Sequence, residues 1–203
     1  MIQNIIFDIG NVLAGFRWKE YLKELNFDKQ ICEKIADATV KHPIWNEFDR
    51  GLREDEDIIN ECISFAPEYS NEIQEFFEKI EGIVKEYDYS TPLIQSLRNK
   101  GYKVYLLSNY PKTAFQYALK NFSFIPHVDG KLISYEINKI KPEEDIYKAL
   151  IEQFNLDPKE SVFLDDKLEN IEAADLLGFK TIHFTSIDDA KHQLDTLGIP
   201  VDN

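Results

Sequence analysis

Basic charge is what this chain has least of. Its 203 residues carry 23 Lys and Arg against 37 Asp and Glu, a net charge of −14 at pH 7 with His neutral. A nucleic-acid partner needs a basic face to neutralise phosphates, and an anionic membrane surface needs one too, so the balance argues against both. Cysteine is equally sparse: Cys32 and Cys62 are too few for a disulfide framework and form no C-x-x-C pair. The 4 His are scattered without zinc-ligand spacing. No stretch approaches the roughly 18 apolar residues of a membrane span. The N-terminal MIQNIIFDIG has neither the basic head nor the long apolar stretch of a signal peptide. The chain therefore reads as soluble and intracellular, with a cytoplasmic location expected.

What is present suffices for an ordinary core. Apolar residues make up 43% of the chain, and a chain of this length buries about 70% of its unfolded surface without staples. Five segments read as buried strands: Ile2–Phe7, Tyr102–Leu107, Val162–Leu164, Thr181–Phe184 and a weak one at Ile125–Val128. Short apolar runs of this kind fit a parallel sheet covered on both faces. Helical patterns lie between them. Thr91 is expected as an N-cap before Pro92. Pro142 is expected to open a helix with Ile146, Tyr147, Leu150, Ile151 and Phe154 on its apolar face, its acidic first turn suiting the helix dipole. A further helix carries Ile171, Ala174 and Leu177, with Gly178 placed to end it. The alternation implies an α/β doubly wound core.

One interval breaks the rhythm. Between Leu13 and Ser90 no strand is expected, yet a strand-to-helix connection takes only about 2–6 residues. The interval reads as a helical insert with two apolar stripes: Trp18, Tyr21, Leu22 and Leu25, then a longer one from Ile73 through Phe76, Phe77, Ile80, Ile83 and Val84 to Tyr87. Core packing is the plain reading of its aromatic residues. The expected division is an α/β core of residues 1–14 and 88–203 with a helical domain of residues 15–87.

In open α/β sheets ligands bind at the carboxyl ends of the strands. Here those ends carry Asp8, Ser108-Asn109 and Asp165-Asp166. One acidic residue there is a common strand stop, whereas three ends with such groups plus a lysine suggest a site.

The residues at this point resemble the haloacid dehalogenase-like (HAD) hydrolases. Four short motifs stand in that family's order: FDIGNVL with Asp8 in the nucleophile position, LLSN with Ser108, KIKPEEDIY with Lys141, and VFLDDKLENIEAADLLG with Asp165 and Asp166. The marked residues are separated by 100, 33 and 25 positions from Asp8 through Ser108 and Lys141 to Asp166. The insert after the first strand falls where the family places its helical C1 cap. Within the family the motifs look most like the sugar-phosphatase branch that includes glucose-1-phosphatases.

The resemblance implies a Mg²⁺-dependent phosphatase acting on a small phosphate ester, such as a hexose 1-phosphate, through an aspartyl phosphate. Asp8 would attack phosphorus and also ligate the metal. The Gly10 carbonyl and Asp166 would be further ligands, Asp165 would lie beside the metal, and Asn170 would orient a metal-bound water. Ser108 would bond a phosphate oxygen, with the N–H groups of Ile9, Gly10 and Asn109 lining the same anion cradle. Lys141 would bridge phosphate and Asp8 and lower the Asp8 pKa. A cation also makes physical sense of adjacent carboxylates, which repel one another without it.

The chain departs from the family pattern at one position. Phosphatases of the family usually carry a second Asp two residues after the nucleophile, which protonates the leaving oxygen and then activates water. Here Gly10 stands there, followed by Asn11. General acid–base help contributes about 10²–10⁴-fold, so its loss favours an easily departing group such as an anomeric sugar oxygen. Asn11 reads as a turn residue. Two other readings stay open: a catalytically weak phospholigand-binding or regulatory protein, and a 2-haloacid dehalogenase, which Gly10 and the Asp165-Asp166 pair disfavour. In the cap, Phe16, Arg17 and Trp18 fall near a hinge, and Arg50 is expected to pair with its acidic neighbours rather than reach the site. None of the four His is given a role, and both cysteines read as packed thiols.

Overall fold

The computed structural model describes residues 1–201. Its main sheet contains β1 (Asn4–Phe7), β4 (Lys103–Ser108), β5 (Gly130–Ile133), β6 (Ser161–Asp165) and β7 (Lys180–His183), in the order β5-β4-β1-β6-β7, every pair parallel. Along β1 the side chains alternate between two apolar layers. Ile5 and Phe7 join Val104, Leu106, Val162 and Leu164 on one face, and Ile6 joins Tyr105, Leu107 and Phe163 on the other. Both faces are covered, as a parallel sheet requires. The helices α6 (Ser90–Asn99), α7 (Lys112–Asn121), α8 (Ser134–Ile137), α9 (Glu144–Phe154), α10 (Leu168–Leu176) and α11 (Ile187–Thr196) connect and flank the strands. No helix is long and apolar enough to cross a membrane among the described residues.

The insert is not all helix. β2 (Ala14–Phe16) and β3 (Val84–Glu86) pair antiparallel at its two ends, so the strand-free reading of this interval is corrected. The ribbon is extended by Arg17 N–H donating to the Ile83 carbonyl and Tyr87 N–H to the Leu13 carbonyl. Neither three-residue strand has an apolar run, and each exists only because its partner, nearly seventy residues away, supplies the hydrogen bonds. Between them lie α1 (Trp18–Glu24), α2 (Lys29–Ala38), α3 (Ile44–Arg50), α4 (Asp55–Phe65) and α5 (Ser70–Glu78). The long second stripe is also interrupted: α5 ends at Glu78, a 3₁₀ turn covers Ile80–Ile83, and β3 follows. Ile73, Phe76, Phe77, Ile80 and Ile83 are buried, whereas Val84 in β3 and Tyr87 just beyond it are half-buried.

Three boundaries also move. Ile125–His127 is a 3₁₀ turn, and the edge strand forms later, at Gly130–Ile133. Thr91 lies inside the first turn of α6, where its hydroxyl bonds Glu86 rather than capping the helix. Helix α9 begins at Glu144, so Lys141 and Pro142, joined by a cis peptide, stand in the loop before it.

The insert is tied to the core at the end of α3. Arg50 forms a two-pronged contact with Glu143, at 2.9 and 2.7 Å. Asn138 Nδ2 donates to the carbonyls of Arg50 and Gly51, at 3.1 and 3.0 Å. The Ser134 hydroxyl donates to the Asp49 carbonyl, and Gly51 closes α3 with φ +70° against Tyr135. Arg50 thus pairs chiefly across to the core, and only secondarily with Glu47 beside it.

Candidate active site

The central strands β1, β4 and β6 end side by side, which brings residues more than 150 positions apart in sequence to one edge. Asp8 follows β1, Asp165 ends β6 and Asp166 follows it; one carboxylate oxygen from each lies within 4.8 Å of the others. Lys141 sits against this group with 1% of its side chain exposed. Its Nζ donates to Asp8 Oδ1 at 2.9 Å, Asp165 Oδ2 at 2.6 Å and the Leu107 carbonyl at 2.9 Å. Three acceptors match its three hydrogens. Burial alone would lower the Lys141 pKa, but Asp165 and Asp8 reverse this and the net shift is upward.

Asp8 differs from expectation on one point. Burial pushes its carboxyl up to about 6, against the opposing pull of Lys141, and Asp165 and Asp166 add to the rise. Lys141 acts in the expected direction without winning. Asp8 Oδ1 accepts the Ile9 N–H at 2.7 Å as well as Lys141, so the Ile9 amide serves the aspartate itself instead of an anion cradle. Asp8 Oδ2 has no hydrogen bond among the described residues. The N–H groups of Gly10 and Asn109 are likewise without acceptors among the described residues, and both residues line the cleft. Ser108 is 1% exposed at the end of β4. Its hydroxyl has no partner among the described residues, and Ser108 is not among the residues that line the cleft.

Asp165 is completely buried, and its oxygens are occupied by Lys141 Nζ, the Lys167 N–H and Asn170 Nδ2. Asp166 is less buried and keeps more freedom; Asn11 Nδ2 donates to its Oδ2 at 2.8 Å. Burial raises the Asp166 pKa. Asn11 has φ +55° and also accepts the Phe16 N–H, as its reading as a turn residue required. Do these residues fit a divalent cation? Three carboxylates converge with one ammonium to offset them, and the Asn170 Oδ1 is buried without a partner. A hard cation with oxygen ligands and retained waters suits that set, since it would cancel the excess negative charge, and the orphaned Asn170 oxygen can accept a hydrogen bond from water.

A family model, described as haloacid dehalogenase-like hydrolase, matches residues 2–178. The chain belongs to the haloacid dehalogenase-like hydrolases. This HAD-like hydrolase is 28% identical over 180 residues to a sesquiterpene phosphatase of Aspergillus oryzae, spanning 89% of this chain and 88% of the relative. It is 28% identical over 195 residues to a D-ribitol-5-phosphate phosphatase of Bacteroides thetaiotaomicron, with 89% and 91% covered. A solved HAD family enzyme of the same bacterium, in complex with magnesium and inorganic phosphate, superposes with a TM-score of 0.74 at 26% identity, over 95% of this chain and 99% of that one.

In this HAD-like hydrolase the strand ends open into a cleft of about 390 Å³ (large enough for a small ligand) that the insert covers. Its floor is Asp8, Gly10, Asn109, Lys141 and Asp166, and its roof is largely apolar: Phe16, Trp45, Ile80, Ile83 and Val84. Trp45 also packs on Phe48, Phe76 and Phe77, so one ring serves the insert's core and the cleft wall. Arg17 pairs with Glu24 and is absent from the lining, as is Trp18. His42 lines the cleft, with Nδ1 accepting the Ile44 N–H and its ring against Phe65. Cys62 is buried and Cys32 half-buried.

Two participants escaped the sequence reading. The Asn109 side chain, not only its amide, binds the Lys141 main chain. Asp49 of α3 is a buried carboxylate on the cleft wall. In HPIWNEFDRGLREDED it is one acid among many, and its only signal is its place beside the buried Phe48.

Proposed function

We propose that this chain is a Mg²⁺-dependent phosphatase that moves the phosphoryl group of a small phosphate monoester onto Asp8 and then to water. The observation that carries this reading is the convergence of Asp8, Asp165 and Asp166 within 4.8 Å around a buried lysine. Membership of a hydrolase family, phosphatase relatives and a magnesium- and phosphate-bound neighbour support it.

Asp8, the Gly10 carbonyl and Asp166 would hold the cation. Asp165, with its oxygens already engaged, would position Lys141 and Asn170 rather than bind directly. Bound there, Mg²⁺ neutralises phosphate charge and polarises its oxygens. The Ile9 N–H and Lys141 fix the Asp8 carboxylate through Oδ1, leaving Oδ2 free to attack phosphorus. The amides of Gly10 and Asn109 receive the phosphate oxygens, while the buried Lys141 ammonium adds positive charge beside them. The new bond joins Asp8 to phosphorus as the ester P–O bond breaks; attack of water on phosphorus then releases inorganic phosphate and restores Asp8.

Gly10 supports an ester with a readily departing group, a sugar 1-phosphate over a 6-phosphate. The apolar roof of Phe16, Trp45, Ile80, Ile83 and Val84 supports a second class, an ester with an apolar body such as an isoprenoid monophosphate. Phosphate release from glucose 1-phosphate, glucose 6-phosphate and farnesyl monophosphate, with and without Mg²⁺, orders the three. Asp8→Asn abolishes release in each. Equal inertness of wild type and Asp8→Asn across a broad ester panel points to a phospholigand-binding protein instead, and metal-independent chloride release from 2-chloropropionate to a dehalogenase.

A further inference from the structure

Position 10 leaves a chemical gap. The ester oxygen needs a proton as it leaves, and the attacking water must lose one. Lys141 is saturated by three acceptors, Asp165 is fully engaged, and Asp8 is the nucleophile. A Cβ built on Gly10 meets nothing within 4 Å, so the space beside the nucleophile is open from below. The insert offers a group from above. Asp49 is 8% exposed, lines the same cleft as Asp8, and its carboxyl has no hydrogen-bond or ion-pair partner among the described residues. A buried carboxyl without partners is costly to a fold, and sites that retain one are candidates for proton chemistry. It is also held in place. The Asp49 carbonyl accepts from Ser134, and the next two carbonyls accept from Asn138. Arg50 is clamped by Glu143.

We propose that Asp49, carried by the insert, is the proton donor and acceptor that position 10 lacks. This rests on the phosphatase reading above. In the first half-reaction the neutral Asp49 carboxyl gives its proton to the ester oxygen as the P–O bond breaks and the Asp8–phosphorus bond forms. In the second, the Asp49 carboxylate takes a proton from water as the water oxygen bonds phosphorus and the Asp8–phosphorus bond breaks. The products are alcohol and inorganic phosphate, with both aspartates restored. Burial pushes the Asp49 carboxyl up to about 7, which suits both roles near neutrality. The titratable groups around it are Lys167 before α10, Asp8 after β1, Lys141 before α9 and Tyr110 after β4. With Asp49 supplying the proton, the preference for a readily departing group drawn above from Gly10 narrows, and alkyl phosphates become competent substrates.

The test compares full-length wild type, Asp49→Asn and Asp8→Asn on an alkyl ester, glycerol phosphate, and an activated one, 2,4-dinitrophenyl phosphate, which departs without a proton. For Asp49→Asn the alkyl kcat is expected to fall about 10²–10⁴-fold. The dinitrophenyl ester should give a burst of one dinitrophenolate per enzyme, followed by slow turnover, with the phosphoryl group acid-trapped on Asp8. Loss of the same factor for both esters with no burst, or no loss for either, overturns the assignment to Asp49. Wild type no faster than Asp8→Asn on both esters instead overturns the phosphatase reading. If Asp49→Asn does not fold, the wild-type pH profile decides: alkyl turnover should fall above about pH 7 while dinitrophenyl ester turnover does not. Parallel profiles for the two would exclude a donor role.

Discussion

Asn109 and Lys141 exchange two hydrogen bonds. Asn109 Oδ1 accepts the Lys141 N–H at 2.8 Å, and Asn109 Nδ2 donates to the Lys141 carbonyl at 2.9 Å. The residue after β4 thereby fixes the backbone of the residue whose ammonium joins β1 to β6, and the loop between them acts as one piece. Asn109→Ala leaves two main-chain groups without partners, at about 1–3 kcal/mol. Urea unfolding is expected to register that loss, and kcat to fall as Lys141 drifts from Asp8.

Lys141 itself is irreplaceable by an uncharged residue. Lys141→Met leaves Asp8 and Asp165 facing each other in a buried space. Breaking a buried pair by removing one partner costs about 3–5 kcal/mol. The expected result is a protein that is catalytically dead and strongly destabilised at neutral pH, recovering some stability in acid as Asp8 protonates. Denaturation at pH 5 and pH 8 measures it.

The sign of the Asp49 contribution to stability is opposite to that of a paired carboxylate. Its folded pKa of about 7 lies above its ordinary value of 3.8, so the folded state binds more protons between them. Stability from this group is full below about pH 4 and is lost as pH rises through about 7. Asp49→Asn should therefore show a flatter stability profile from pH 4 to pH 8 and exceed wild type at pH 8 by on the order of 1–4 kcal/mol. Metal-free urea unfolding of both proteins across that range is the measurement.

Gly51 is the hinge of the α3 tether. Its φ is +70°, and a Cβ there would stand 2.7 Å from the Tyr135 Cβ. Gly51→Ala combines a left-handed backbone with a backbone-adjacent clash, at about 1–3 kcal/mol. Loss of thermal stability is expected together with lower kcat, because α3 carries Asp49.

Magnesium should stabilise the folded chain through Asp8, the Gly10 carbonyl and Asp166. At a free concentration of a hundred times Kd the linkage amounts to about 2.7 kcal/mol. Calorimetry is expected to show a higher Tm with Mg²⁺ than with chelator, and a much smaller difference for Asp166→Asn.

Much of this was legible beforehand because the strand signals are strong. IIF, VYLL and VFL are buried runs whose ends carry polar groups, so Asp8, Ser108 and Asp165-Asp166 could be placed at one edge before any coordinates. The Ile125–Val128 segment misled because an apolar run around Pro126 is a poor strand; the proline closes a 3₁₀ turn instead. The long insert stripe misled because its period continues past Glu78 while the chain turns and becomes β3. Periodicity records burial, not the element that achieves it.

The parallel α/β core, the helices inside the insert and the order of the motifs were readable from local apolar pattern and from polar residues at strand ends, whereas the β2–β3 ribbon that closes the insert was not. Tertiary structure alone decided that Ile9 serves Asp8, that the Asn109 side chain grips Lys141, and that Asp49 reaches the cleft. Each of these depends on a partner far along the chain or on burial imposed by other elements. No local pattern distinguishes one aspartate among the acids around α3 until packing removes it from water.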